Sequence, residues 1–142
     1  MFKKILILMV LCFSSSAAMA NPNPWMRVCR IAEGFFQGLV VEGTKDQFLW
    51  TCSFDNSFVG ADELFVYKTD KKIALSLNAY LSGVSSTASS CESLNATTVR
   101  AESISGQMIT MCQFADGSLL DLSSLKSGYK SPANSKLDRG LN

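Results

Sequence analysis

Cysteine placement constrains this chain more than any other feature. Cys29…Cys52 and Cys91…Cys112 are two pairs of nearly equal span, and each closes on a similar phrase. The first reads Cys52-Ser53-Phe54-Asp55-Asn56-Ser57-Phe58, the second Cys112-Gln113-Phe114-Ala115-Asp116-Gly117-Ser118-Leu119, with one inserted residue between them. Four cysteines allow three connectivities. The repeated phrase favours Cys29–Cys52 with Cys91–Cys112, because a duplicated unit would carry its own staple. Each bridge would close a loop of about twenty residues, worth roughly 3 kcal/mol in the chain-entropy account. That is a large share of the stability of a small unit. Zinc is the rival use of four cysteines, but the chain has no CxxC pair and no histidine, and zinc sites use close-spaced ligands.

The fifth cysteine, Cys12, falls in a segment with the grammar of an export signal. Lys3 and Lys4 supply a positive start, residues 5–13 an apolar run too short to span a bilayer, and Ala18-Met19-Ala20 a small-x-small cleavage site. Residues 1–20 are therefore expected to be a signal peptide cut after Ala20, delivering a periplasmic or secreted protein. Lipidation at Cys12 is disfavoured by the bulky Leu11 before it. An oxidising destination agrees with paired cysteines. The 13 basic residues include Lys3 and Lys4, so 11 remain against 12 acidic after cleavage. A near-neutral chain without a basic cluster argues against nucleic acid. No later stretch has the length of a membrane helix, so no stable membrane insertion is expected after cleavage.

Periodicity predicts a short helix over 26–36, strands over 39–41, 47–54, 63–68 and 73–77, and a helical or turn closure over 78–83. Residues 84–90 are rich in Ser and Thr and read as a linker. Beyond it, residues 97–101 and 107–114 read as strands joined by a turn at 103–106. Asp116-Gly117 is a tight-turn signal. Residues 119–125 form a last strand or a capped helical turn, and 131–142 a flexible tail. The expected organisation is α+β: small antiparallel β-hairpin-rich, disulfide-stapled units as two similar repeats, 21–83 and 91–130.

A leading Asn21-Pro22, a cysteine about twenty residues before a second, and the phrase Cys112-Gln113-Phe114-Ala115-Asp116-Gly117-Ser118 with Gly128 beyond it resemble a family of short exported bacterial domains labelled haemolysins. Cys29…Cys52-Ser53-Phe54-Asp55-Asn56-Ser57 looks like a diverged second copy. It lacks the Asp-Gly turn, and neither copy has the Gly-Gly pair or late Trp associated with the family. The resemblance implies an exported, disulfide-bonded module; it brings no established reaction with it.

With no histidine, Ser–His and Cys–His catalysis are excluded. Carboxylate pairs are the remaining acid–base chemistry. Asp55 and Asp116 stand at equivalent turns with Asp62-Glu63 further along, but Asx residues at turns ordinarily satisfy backbone groups. Serine–lysine chemistry would fall to Ser118 or Ser124 with Lys126. The aromatics, concentrated in the first unit, are expected to form its core, with the alternative that Phe48-Leu49-Trp50 presents a contact surface. No cofactor or metal is expected. The leading expectation is a non-enzymatic binding or inhibitory module for a protein or cell-envelope ligand. Its presented loops would be Asp55, Asn56 and Ser57, and Asp116, Gly117 and Ser118, each held at a stapled base. A membrane-active, haemolysin-like factor and a carboxylate-dependent envelope hydrolase are the alternatives.

Overall fold

The computed structural model describes residues 23–83 and 87–142. The expected signal peptide and cleavage site lie outside the described residues, as do residues 84–86 of the expected linker.

Helix α1, Pro24–Ile31, starts where Asn23 accepts the Trp25 N–H at 3.0 Å and Pro24 occupies the first turn, which is where proline costs a helix nothing. It ends five residues before the predicted boundary, because Glu33 adopts φ +65° and the chain leaves extended. Strands β1 (Phe35–Val41) and β2 (Phe48–Phe54) form the first hairpin. Strand β3 (Ser57–Gly60) follows a two-residue turn at Asp55-Asn56, with Phe54 opposite Ser57.

Two predicted strands are helices. Residues 63–68 lie in α2, Ala61–Asp70, and residues 73–77 run into α3, Leu75–Leu81. The β-branched and aromatic residues of 63–68 favour a strand locally. Asp62 and Glu63 in the first turn of α2 suit the positive end of a helix, and Leu64 gains a fully buried site. Helix α3 buries Leu77 and Tyr80 one turn apart.

After a 3₁₀ turn at Glu92–Leu94 come β4 (Thr97–Glu102), β5 (Met108–Gln113) and β6 (Leu119–Asp121), then α4 (Leu122–Ser127). The strands close into a six-stranded barrel in the order β1-β2-β3-β6-β5-β4, all neighbours antiparallel. Both expected disulfides are present: Cys29 of α1 with Cys52 of β2, and Cys91 with Cys112 of β5.

Alternation along the strands divides the core in two. Leu39, Phe58, Ala101, Ile109, Met111 and Leu119 point inward and fill the barrel. Their neighbours Cys52, Val59, Cys112 and Leu120 point outward beneath the helices, meeting Leu64, Leu77, Tyr80 and Leu125. Strands β3 and β6 are thus buried on both faces. The expected units 21–83 and 91–130 do not stand apart as domains, because both core layers draw on each of them.

The expected flexible tail is also folded. Residues 131–142 make a 3₁₀ turn at Pro132–Asn134 and then α5, Ser135–Leu141, whose Leu137 and Leu141 join the core over β2. Polar composition hid this, since its two buried leucines lie four residues apart among Lys, Asp and Arg.

The seam where β3 meets β6 is tied by two buried carboxylates. Val59 faces Leu120 across it. On one side Leu119 N–H donates to Glu63 Oε1 at 2.9 Å; on the other, Phe58 N–H donates to Asp121 Oδ1 at 2.8 Å. Each acid sits at the start of the helix that follows its own strand and reaches the strand opposite.

Candidate functional site

Sequence reasoning offered two turns as presented loops, and the structure treats them differently. In the β2–β3 turn Asp55 and Asn56 are exposed, and Asp55 forms an ion pair with Lys136 of α5 at 2.8 Å. Ser57 is buried: its hydroxyl lies 2.8 Å from Ser124 Oγ and 3.3 Å from Asn134 Oδ1. In the β5–β6 turn the inserted residue makes a three-residue loop closed by the Phe114 N–H to Ser118 bond, with Gly117 taking φ +82°. Glycine is the residue that adopts this backbone without strain. Asp116 and Gly117 are exposed, whereas Ser118 is buried.

The second turn serves α3. Ala74, the residue before that helix, offers no capping side chain. Instead Asp116 Oδ2 accepts the Leu75 N–H at 2.9 Å and Ser118 Oγ accepts the Ser76 N–H at 3.0 Å. The free amides at a helix start are thereby met by a loop some forty residues away. Asp116 Oδ1 in turn accepts both the N–H and the hydroxyl of Ser118. Burial pushes the Asp116 carboxyl up, but the donors from Leu75 and Ser118 outweigh it and hold the group below its ordinary range.

This turn is one wall of a cleft of about 330 Å³. Trp25 of α1 and Trp50 of β2 form a second wall, Asp62, Glu63 and Val66 of α2 a third, and Lys72, Ile73 and Ala74 complete it. Residues 55–57 do not line it, so the two turns do not converge on one site. Trp50 is 47 % exposed and Ile73 54 %. Lys72 lies more than 4 Å from every carboxylate oxygen here, since the ion pairs among the described residues are Arg100–Glu42, Lys136–Asp55 and Arg139–Glu33.

Glu63 is the most perturbed acid in the cleft. Burial drives it up to about 7, against the pull of its own N–H and that of Leu119; the charges of Asp62 and Asp116 push the same way as burial. Its carboxylate lies so close over Gly60 that a Cβ there would sit 1.6 Å from Oε2. Only glycine leaves room for that fold-back. Both acids are therefore occupied with backbone donors, Glu63 at the barrel seam and Asp116 at the start of α3.

A second hollow, of about 460 Å³, adjoins the cleft across Trp50, which lines both. It runs over the outer face of β1 and β2 and is bordered by Met26, Phe36, Phe48, Glu102 and Ile104, among others. Trp50 is flanked by Phe36, at 5.4 Å between ring centroids, and Phe48, at 5.6 Å. The expectation that the aromatics are core holds for Phe54 and Phe58, which are buried; Phe48 and Trp50 are exposed instead. The corresponding outward positions of β4 and β5 carry Arg100, Glu102, Met108 and Thr110. Sequence reasoning offered Trp50 only within the alternative of a Phe48-Leu49-Trp50 contact surface, and did not single out Trp25 or Lys72. The available signal was the run of large apolar groups at both parities in Phe48-Leu49-Trp50, since a sheet with one buried face needs them at only one.

Among the described residues, no group of three or more His, Cys, Asp or Glu side chains is placed to hold a metal ion, and no helix is long and apolar enough to cross a membrane. Comparison with known proteins gives no matching family model, no matching curated protein and no matching solved structure.

Proposed function

We propose that this chain is an exported, non-enzymatic binding module, built from two diverged copies of one disulfide-stapled unit, that takes its partner in the cleft walled by Trp25 and Trp50. The observation that carries this reading is the pair of indoles at a concave surface on a rigid barrel, with Trp50 half exposed where a folded core would bury it. Concave, aromatic-walled sites on preorganised scaffolds are where binding energy concentrates. Export is supported by the leader sequence and agrees with two disulfides. Duplication is supported by the recurring order of a helical turn, three strands and a helix, with a bridge from the opening segment to the middle strand in each half.

A photo-crosslinking amino acid at position 73, on the cleft rim, tests the reading in exporting cells, with position 45 in the β1–β2 turn as the control. The expected result is an adduct from position 73, none from 45, and loss of the adduct when Trp50→Ala is added. No adduct, or equal adducts from both positions, overturns the proposal. Asp116 is unsuitable for this test, because removing it uncaps α3 as well as altering the cleft.

The hydrolase reading keeps one observation in its favour: Glu63 and Asp116, shifted in opposite directions, line the same cleft. Turnover of cell-wall glycan that disappears in Glu63→Gln would restore it.

A further inference from the structure

The cleft and the hollow beside it meet at Trp50 and are together called the trench. Trp50 borders both, and Trp25 and Met26, successive residues of α1, face one each. The two ends differ in chemistry. The hollow is floored by Phe36 and Phe48 and edged by Met26 and by Ile104, the latter 78 % exposed. The cleft end carries Asp62, Glu63 and Asp116. Glu102 stands at the apolar end, so four acidic side chains line the trench against the single cation Lys72, of which Asp62, Asp116 and Glu102 carry the charge while burial keeps Glu63 partly protonated near neutrality. That imbalance is local, since the whole chain has 13 basic and 12 acidic residues. None of the four acids is in an ion pair among the described residues.

Resting on the binding-module reading, we infer that the trench accepts an extended peptide segment of a protein partner, with an apolar side chain over Phe36 and Phe48 and a Lys or Arg in the acidic cleft beside Trp50. Charge complementarity selects the basic residue, and the indole faces add a favourable site for a cation. The apolar anchor supplies affinity from buried area. One indole borders both hollows and an extended chain advances about 3.3 Å per residue, so the basic residue falls within about four residues of the anchor.

The test is selection of random octapeptides displayed on phage against the immobilised exported protein, followed by titration of a synthetic peptide representing the enriched set. The expected set pairs an aliphatic or aromatic residue with Lys or Arg at that spacing. Its affinity drops roughly tenfold in the double variant Asp62→Asn, Glu102→Gln, whose two sites are exposed and lack ion pairs. It weakens between about 50 and 500 mM salt, and it is lost in Trp50→Ala. Enriched peptides that lack a basic residue, or that ignore the double variant while still needing Trp50, overturn this inference and leave the binding module standing. Selection of no peptide overturns it too, and the adduct at position 73 then decides the broader reading separately. Trp50-dependent binding to phosphatidylglycerol vesicles in place of peptides would assign the trench to a membrane surface, and self-association through it to a second copy of the chain.

Discussion

Glu63 makes the stability of this protein depend on pH in a direction opposite to that of most carboxylates. Its folded value, about 7, lies above the ordinary 4.5 because burial penalises the charged form. Below about 4.5 the group is protonated folded or unfolded, its contribution is fully present and stability does not vary with pH on its account. Between 4.5 and about 7 the folded protein retains a proton that the unfolded chain has released, so stability falls as pH rises. The loss over that window is of the order of 3 kcal/mol for this one group. Asp121, also raised by burial, acts in the same direction, while Asp116 and Glu92, shifted down, act at lower pH. Urea unfolding at steps from pH 4.5 to 7.5 should therefore show decreasing stability in the wild type. Glu63→Gln, which keeps an acceptor for the Leu119 N–H, should remove most of that slope and leave the smaller part owed to Asp121. An unchanged slope in the variant would mean that Glu63 is not the titrating group. A companion change, Gly60→Ala, places a Cβ where Glu63 Oε2 lies; it should break the seam contact and cost a few kcal/mol by overpacking, read in the same titration.

Among the elements, α5 has the least sequence signal and a large structural task. Leu137 is fully buried and Leu141 nearly so. The helix is also tied by Asp138, whose carboxylate accepts the Tyr80 hydroxyl and, at 2.9 Å, the Lys130 N–H. Burial, with Asp138 behind it, raises the Tyr80 phenol, keeping it a donor at any ordinary pH. Leu137→Ala should lower stability by about 3 kcal/mol in denaturant melts, the usual cost of emptying a leucine site; a change under about 0.5 kcal/mol, typical of surface positions, would mean the helix is not docked. The same element shows where sequence reasoning reaches its limit. Local signals placed most of α1 and the β1–β2 and β4–β5 hairpins, because alternation acts within a few residues of where it is written, and the repeated phrase placed both disulfides; the short strand β3 was missed. Helices α2 and α3 were misread as strands: the start of α3 is capped by Asp116 and Ser118 from across the molecule, and Glu63 at the start of α2 is set by Leu119 of β6. Such long-range partners leave no local trace. The candidate turns were found as turns, but Ser57 and Ser118 proved to be interior supports, and the half-buried Trp25 and exposed Trp50 that mark the cleft were assigned to the core, with a contact surface as the alternative for Trp50. Composition cannot say which parity of Phe48-Leu49-Trp50 faces inward; closure of the barrel decides it.

Over the whole molecule, the seams between residues 23–83 and 87–142 decide whether either half can exist alone. Strands β3 and β6 share one paired position, Val59 with Leu120, and β1 and β4 share two, Val40 with Glu102 and Val41 with Ala101. Few backbone bonds thus join the halves, but the filling of the barrel is divided between them. Leu39 and Phe58 come from the first, and Ala101, Ile109, Met111 and Leu119 from the second. The buried carboxylates are exchanged as well, Glu63 for Leu119 and Asp121 for Phe58. A lone half would be a three-stranded sheet with its inner face open, two bare edges and one buried acid stripped of its donor from the other half, although its own disulfide would remain. The bridge removes entropy from the unfolded chain, roughly 3 kcal/mol for a loop of this length, and that cannot replace a missing inner face. Fragments 21–86 and 87–142, each oxidised, should accordingly show no cooperative unfolding alone by near-ultraviolet circular dichroism, and should regain it together on equimolar mixing. Protection of the Phe58 and Leu119 amides from hydrogen exchange should return only in the mixture, since each amide is held by an acid of the other half. A fragment that unfolds cooperatively as a monomer would show that the staple and one helical layer suffice, and that the shared barrel interior is not what holds the two halves in one fold.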